Sequence, residues 1–337
     1  MSRPGRCRPA AVRRGRGRCG ISRLARAVPE PAIRPAGDGG GAGVSAGASQ
    51  ALDLVCTRFT RPGDTIFVEE PTYFLALNIF RDHGLQVVGI PIDGDGIRID
   101  ALQYALVQHR PAFLYTIPSF QNPSGTTMSA ARREQLMAVS RTHDLLVVAD
   151  EVYQLLDFGT RPPPPLAAYV HTARVLSIGS FSKICAPGLR LGWMQGAPAV
   201  LHTITQSGVV QSGGGLSPFV SGAMRSMLDL GLADTVLDGL RGVYAQRSAV
   251  LCRALRELLP AVTFVEPTGG YFVWAQLPAG YSAAELLPVA RSGGVVFHLG
   301  TRFSSGGGLE QHIRLSFAHY DGPTLADGVR RLASALA

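Results

Sequence analysis

The sequence predicts an α/β protein: a mostly parallel sheet sandwiched by helices, followed by a smaller α+β part at the C-terminal end. Two patterns predict it. Between residues 48 and 178, short apolar, β-branched-rich runs alternate with helical segments. The runs are continuously apolar, as strands buried on both faces are. Beyond about residue 220 the alternation gives way to a long helical stretch and then a mixed set of strands and helices. A length of 337 residues also exceeds what one compact core usually holds, so two parts are expected, 44–220 and 221–337.

In chain order, residues 1–43 form an Arg/Gly/Pro-rich tail that ends in Gly37-Asp38-Gly39-Gly40-Gly41-Ala42-Gly43. That composition is expected to be disordered. There follow a helix over 48–60, strand Thr65–Val68, a helix near 73–83, strand Gln86–Ile90, a helix from Asp100 and strand Phe113–Thr116. The series continues with a helix at 129–142 and strands Leu145–Ala149 and Val175–Ile178. The second part is expected to hold a helical stretch over 221–258, strands Thr263–Val265 and Gly270–Gln276, and a helix at 282–291. Strands Val295–Phe297 and His312–Ala318 and a last helix from Pro323 complete it. No apolar run approaches the roughly 18 residues that cross a bilayer, so no membrane partner is expected.

The formal charge of +8 suggests an acidic partner, but residues 1–36 hold ten arginines against one acid, Glu30. The rest of the chain is nearly neutral, and the basic tail has no apolar periodicity, so no specific nucleic acid is expected. Five cysteines, an odd number without a C-x-x-C pair, fit a reducing cytoplasm. Of 32 basic residues only Lys183 is a lysine. Arginine cannot form an imine and keeps its proton, whereas a desolvated lysine can react as an amine, so a solitary lysine points to amine chemistry.

Ligands of open α/β sheets collect at the carboxyl ends of strands. Asp150 closes the run Leu145–Ala149 there, a carboxylate that wants a cationic partner. Strand Val175–Ile178 leads into Gly179-Ser180-Phe181-Ser182-Lys183, with Arg190 seven residues on. Hydroxyls, free amides and a guanidinium suit a phosphate. Ser45-Ala46-Gly47-Ala48-Ser49-Gln50 precedes a helix and offers its N-terminal amides to the same kind of anion, although it matches neither nucleotide-binding glycine pattern. Asn122-Pro123-Ser124-Gly125 reads as a turn, and Tyr73 as a packing aromatic or a ligand contact.

With these residues in view the chain resembles the fold-type I pyridoxal-phosphate (PLP) dependent aminotransferases, near the 2-aminoadipate and kynurenine aminotransferase branch. The resemblance rests on VSAGASQALDL, EEPTYF, YTIPSFQNPSGTTMS, VVADEVY, SIGSFSKICAPGLRLGW, GGYFVWAQLP and IRLSFA, in family order over residues 44–337. It implies pyridoxal 5'-phosphate held on Lys183 as an imine, with Lys183 also shuttling the substrate's proton. Asp150 would pair with the pyridine nitrogen, and Asn122 and Tyr153 would bond the ring's phenolic oxygen. Tyr73 would stack on the ring, and Ala48, Ser49, Gln50, Ser180, Ser182 and Arg190 would surround the phosphate. Arg314 would clamp the substrate carboxylate, with Ser316 and Phe317 extending its strand.

The reaction implied is ping-pong transfer of an amino group from an L-amino acid of 2-aminoadipate, aromatic or branched-chain type to a 2-oxo acid such as 2-oxoglutarate. The family also implies a cytoplasmic homodimer. Residues 1–43 resemble none of the arm with which members begin; the stretch reads as a genuine tail or as the product of a displaced start codon or frameshift. Two rival readings keep the same body: the effector domain of a PLP-sensing transcriptional regulator, and a truncated PLP-binding protein with little turnover. The regulator requires periodic helices ahead of residue 44, and the sequence there shows none.

Overall fold

The computed structural model describes residues 34–35, 41–213 and 217–336. One sheet holds β1 (Arg34–Pro35), β2 (Gly41–Ser45), β3 (Thr65–Glu70), β4 (Gln86–Asp93), β5 (Gly96–Ile97), β6 (Leu114–Thr116), β7 (Val147–Asp150), β8 (Val175–Ser180) and β9 (Gly192–Gly196). Their spatial order is β1-β2-β9-β8-β7-β6-β3-β4-β5. The central run from β8 to β4 is parallel throughout, while β9 runs antiparallel to both β8 and β2. A second, antiparallel sheet contains β10 (Thr263–Phe264), β11 (Phe272–Gln276), β12 (His298–Leu299) and β13 (His312–Ser316) in the order β10-β11-β13-β12.

The continuous apolar strands are explained by what lies on each face. Along β7, Val147 and Ala149 join a cluster with Phe67, Leu114 and Val175 under helices Ile99–Gln108 and Ala130–His143. Val148 points the other way, into a larger cluster with Val68, Tyr115 and Ile178 that takes in helix Ala48–Phe59 and both layers of the C-terminal part. Successive side chains of a strand face opposite sides, so a strand covered on both faces must be apolar at every position. Each fully buried Val or Leu contributes about 1.5–3 kcal/mol.

The structure departs from these expectations at several points. Gly41–Gly43, read as the end of a flexible run, lie in β2, where Gly43 pairs with Met194 and Ala42 with Gln195. At the far end of this pairing Ser45 faces Gly192, where a Cβ would meet Gly47 Cα at 2.9 Å. Arg34–Pro35 pair with Ala42 and Gly41, and the remainder of the predicted tail lies outside the described residues. The helical stretch 221–258 is two helices, Pro218–Asp229 and Leu232–Leu258, divided where Gly231 turns left-handed at φ 71°. Residue 220 therefore falls inside the first of them. Strand Val295–Phe297 is instead β12, His298–Leu299, since the Val295 N–H is still spent on Ala290 O, closing helix Ala283–Ser292. Strand β9 has no counterpart among the expected strands.

Within this sheet Gly179 faces Trp193 across the β8–β9 pair, and a Cβ at Gly179 would stand 2.1 Å from the indole. Gly179→Ala is expected to destabilise the protein by about 1–3 kcal/mol through overpacking, read as a lowered urea midpoint. Among the described residues no helix is long and apolar enough to cross a membrane.

Candidate active site

Strands β3, β6, β7 and β8 end along one edge of the sheet, at Glu70, Thr116, Asp150 and Ser180. Asp150 is buried there, and the Tyr115 hydroxyl donates to its Oδ2 at 2.7 Å. Its Oδ1 is buried with no hydrogen-bond partner among the described residues. Burial pushes the carboxyl up to about 6, against the Tyr115 hydroxyl, the Val152 amide and the charge of Lys183. An acceptor in that state is set up for a donor that carries positive charge.

Lys183 follows β8 by three residues, half-buried. Burial lowers its ammonium, and the Arg314 and Arg190 cations add to this while Asp150 opposes it. The amine is thereby brought nearer its neutral, nucleophilic form. Tyr271, to which the sequence assigned no role, holds this segment: its hydroxyl donates to Lys183 O at 2.7 Å, and its ring centre lies 5.5 Å from Nζ.

A second feature is an anion cradle. Gly47 caps helix Ala48–Phe59 at φ 89° without a side-chain cap, so the first-turn amides at Ala48, Ser49 and Gln50 are left for a ligand. The conformation favours glycine, and a Cβ at Gly47 would lie 2.8 Å from Arg190 Nη2. Arg190 itself is left-handed at φ 48°; it donates to Ser182 Oγ at 3.4 Å and to Ala46 O at 3.3 Å. Ser180 Oγ accepts from the Ser182 amide at 3.1 Å. The Gln50 side chain turns back instead, its Oε1 accepting from Ala46 N at 2.7 Å, so Gln50 shapes the loop and offers only its backbone amide.

The third feature is Arg314, buried in the middle of β13. Its Nη1 donates to Asn122 Oδ1 at 2.7 Å, its Nε has no partner among the described residues, and its guanidinium lies 3.9 Å from the centre of the Phe272 ring. Burial pulls it down to about 10, still a cation at neutral pH. With Asn122 Oδ1 occupied, the Asn122 amide N–H2 is left to donate. Burial and the charge of Asp150 raise the Tyr73 hydroxyl, against the opposing pull of Arg314 and Arg190. Tyr153 packs edge-on against Tyr271 and Phe272, at 5.5 and 5.9 Å. Ser316 is exposed, and Phe317 is buried against Phe158.

The fold and this edge define a class of enzyme: an open sheet delivers a lysine, the buried Asp150 carboxylate and an anion cradle to one edge, as an enzyme that carries a phosphorylated aldehyde cofactor on an amine requires. The chain belongs to the aminotransferase class I and II family, whose profile matches residues 42–332. It is 33% identical to aromatic-amino-acid aminotransferase 1 of Thermococcus litoralis, over 87% of this chain and 71% of that protein. The solved structure of LysN, the alpha-aminoadipate aminotransferase of Thermus thermophilus complexed with N-(5'-phosphopyridoxyl)-L-leucine, is similar with a TM-score of 0.82. The two are 35% identical, with 88% of this chain and 76% of that one covered. An uncharacterized HTH-type transcriptional regulator of Bacillus subtilis, YdfD, is 31% identical over 86% of this chain and 60% of its own length. The chain is accordingly a fold-type I, PLP-dependent aminotransferase of the 2-aminoadipate and kynurenine branch.

Proposed function

We propose that this enzyme moves the amino group of an L-amino acid of 2-aminoadipate, aromatic or branched-chain type to a 2-oxo acid such as 2-oxoglutarate, in two half-reactions at the one site. The observation that carries the reading is Asp150 Oδ1, a buried acceptor without a donor among the described residues, beside the only lysine of the chain. The residues present fit pyridoxal 5'-phosphate on that ground, and the amides of 48–50 with Ser180, Ser182 and Arg190 suit its phosphate. When bound, the cofactor supplies an aldehyde for imine exchange and a ring that accepts an electron pair.

The chain's own groups would do the rest. Asp150 keeps the ring nitrogen protonated by holding a negative charge against it in a buried site. Lys183 would hold the cofactor through its amine and would carry the proton taken from the substrate Cα. Asn122 and Tyr153 would hydrogen-bond the phenolic oxygen and Tyr73 would stack on the ring. Arg314 receives the substrate α-carboxylate on its free Nε and Nη2, with Phe272 as its floor. A planar fork binds a carboxylate in two parallel bonds, which a lysine could not do.

Arg314→Ala is expected to leave cofactor binding and its visible absorbance intact while raising KM for every amino donor by about 10- to 100-fold. The reading as a whole is tested by 2-oxo acid formation from 2-aminoadipate, phenylalanine and leucine with 2-oxoglutarate as acceptor. Coloured protein that converts none of these would refute it. In that event the likeness to YdfD favours the regulator reading, decided by a DNA-shift assay on the full gene product.

The division near residue 220 is proposed to separate the cofactor-holding part from the part that brings Arg314. The enzyme is proposed to work as a homodimer in the cytoplasm, where buried Cys56 and Cys252 stay reduced.

A further inference from the structure

We propose that Arg302 selects substrates with a second carboxylate, taking the distal carboxylate of a diacid whose α-carboxylate lies on Arg314. The inference rests on the transaminase reading above and names the residue that sets its specificity.

The register of the small sheet places Trp274 and His298 on either side of Arg314, so the three side chains form a row on one face. Arg302 continues the row. Its Nη1 is 3.2 Å from His298 Nδ1, and its guanidinium carbon is 4.2 Å from the centre of the Phe74 ring, the same ring that Arg314 approaches at 5.8 Å. Burial and the two flanking guanidiniums push His298 down to about 4, so at neutral pH its imidazole is uncharged and Nδ1 accepts from Arg302.

The loop beneath Arg302 is fixed at both ends to the segment that carries Tyr73. Thr72 N donates to Phe303 O at 2.9 Å, and Ser305 donates to Glu70 Oε2 through its amide at 2.8 Å and its hydroxyl at 2.6 Å. Other arginines of the chain are answered by acids, as in Arg132–Asp93, Arg174–Asp144 and Arg241–Asp157. Among the described residues no carboxylate lies within ion-pair distance of either Arg302 or Arg314. Two guanidiniums against one aromatic ring, joined through a neutral imidazole and lacking acids, match two carboxylates on one carbon chain. A cation already stacked and hydrogen-bonded loses little freedom on binding.

The test uses PLP-loaded protein and calorimetry with glutarate and valerate, which share a chain length and differ in one carboxylate. Wild type is expected to bind glutarate at least about 10-fold more tightly. Arg302→Leu should erase that preference, Arg302→Lys should restore part of it, and His298→Ala should weaken it by freeing the Arg302 head. In turnover, the ratio of kcat/KM for glutamate to that for leucine should fall by about 10- to 100-fold in Arg302→Leu. An unchanged preference in Arg302→Leu overturns the inference while the transaminase reading stands. Protein that forms no 2-oxo acid from any donor overturns both.

Discussion

Lys183→Ala is expected to abolish transamination and the visible absorbance of the cofactor-bound protein together, lowering turnover by about four orders of magnitude or more. The magnitude follows from two roles lost with one atom. No other primary amine exists in the chain's side chains to replace Nζ, since every other basic residue is arginine. Arg190 and Arg314, the cations that lower the Lys183 ammonium, remain in place but cannot form the bond. Borohydride reduction followed by peptide mass spectrometry reads the result directly: an adduct on Lys183 in wild type and none in the variant. Equal absorbance in the two proteins would sink the assignment.

Asp150→Asn is expected to act in opposite directions on catalysis and stability. It should lower kcat by about 100- to 1000-fold, since the amide no longer holds charge against the ring nitrogen. In cofactor-free protein it should stabilise. The folded carboxyl sits near 6, above its ordinary 3.8, so its contribution is most favourable below the ordinary value and is lost as pH rises through about 6. Above that pH, holding the buried charge costs about 3 kcal/mol. Urea midpoints of the two cofactor-free proteins should coincide near pH 4 and separate by pH 8, with the asparagine form the more stable. Added cofactor should close the gap by giving Asp150 Oδ1 its cationic donor. A gap that does not widen with pH would mean that the folded Asp150 carboxyl is not raised above its ordinary value.

The central strands were legible because burial on both faces leaves an uninterrupted apolar run, and Val147–Ala149 is such a run. Strand β9 was not, because Gly192-Trp193-Met194-Gln195-Gly196 shows neither a continuous apolar run nor alternation. Its glycines serve close approaches that exist only after folding, Gly192 to Gly179 and Gly47, and Gly196 to Leu176 and Val175. Strand β12 was misplaced by two to three residues because Val295-Val296-Phe297 is the more apolar segment, yet its first amide is committed to the preceding helix. At the site, Lys183 and Asp150 could be read from chemistry, the one by rarity and the other by its place at a strand end.

Tyr115 and Tyr271 were missed, the first because it sits in an apolar strand and the second because it was quoted only as part of GGYFVWAQLP. A usable signal existed in the first case: a tyrosine buried in a sheet needs an acceptor for its hydroxyl, and Asp150 ends the neighbouring strand. The turning back of Gln50 onto Ala46 leaves no mark in the sequence, since it depends on the path of the chain ahead of the helix.

The pairing of Gly41–Ser45 with β9 bears on how the protein can be handled. Composition invites trimming everything before Val44 for expression. That cut would take Gly41 through Gly43 off β9, leaving Met194, Gln195 and Gly196 without their partners, an open margin to which other chains can adhere. It would also loosen the approach to Gly47, whose geometry Arg190 depends on. The shortest piece worth producing therefore starts upstream of Gly41, and a precipitate from a shorter one would report on a torn seam and not on the enzyme.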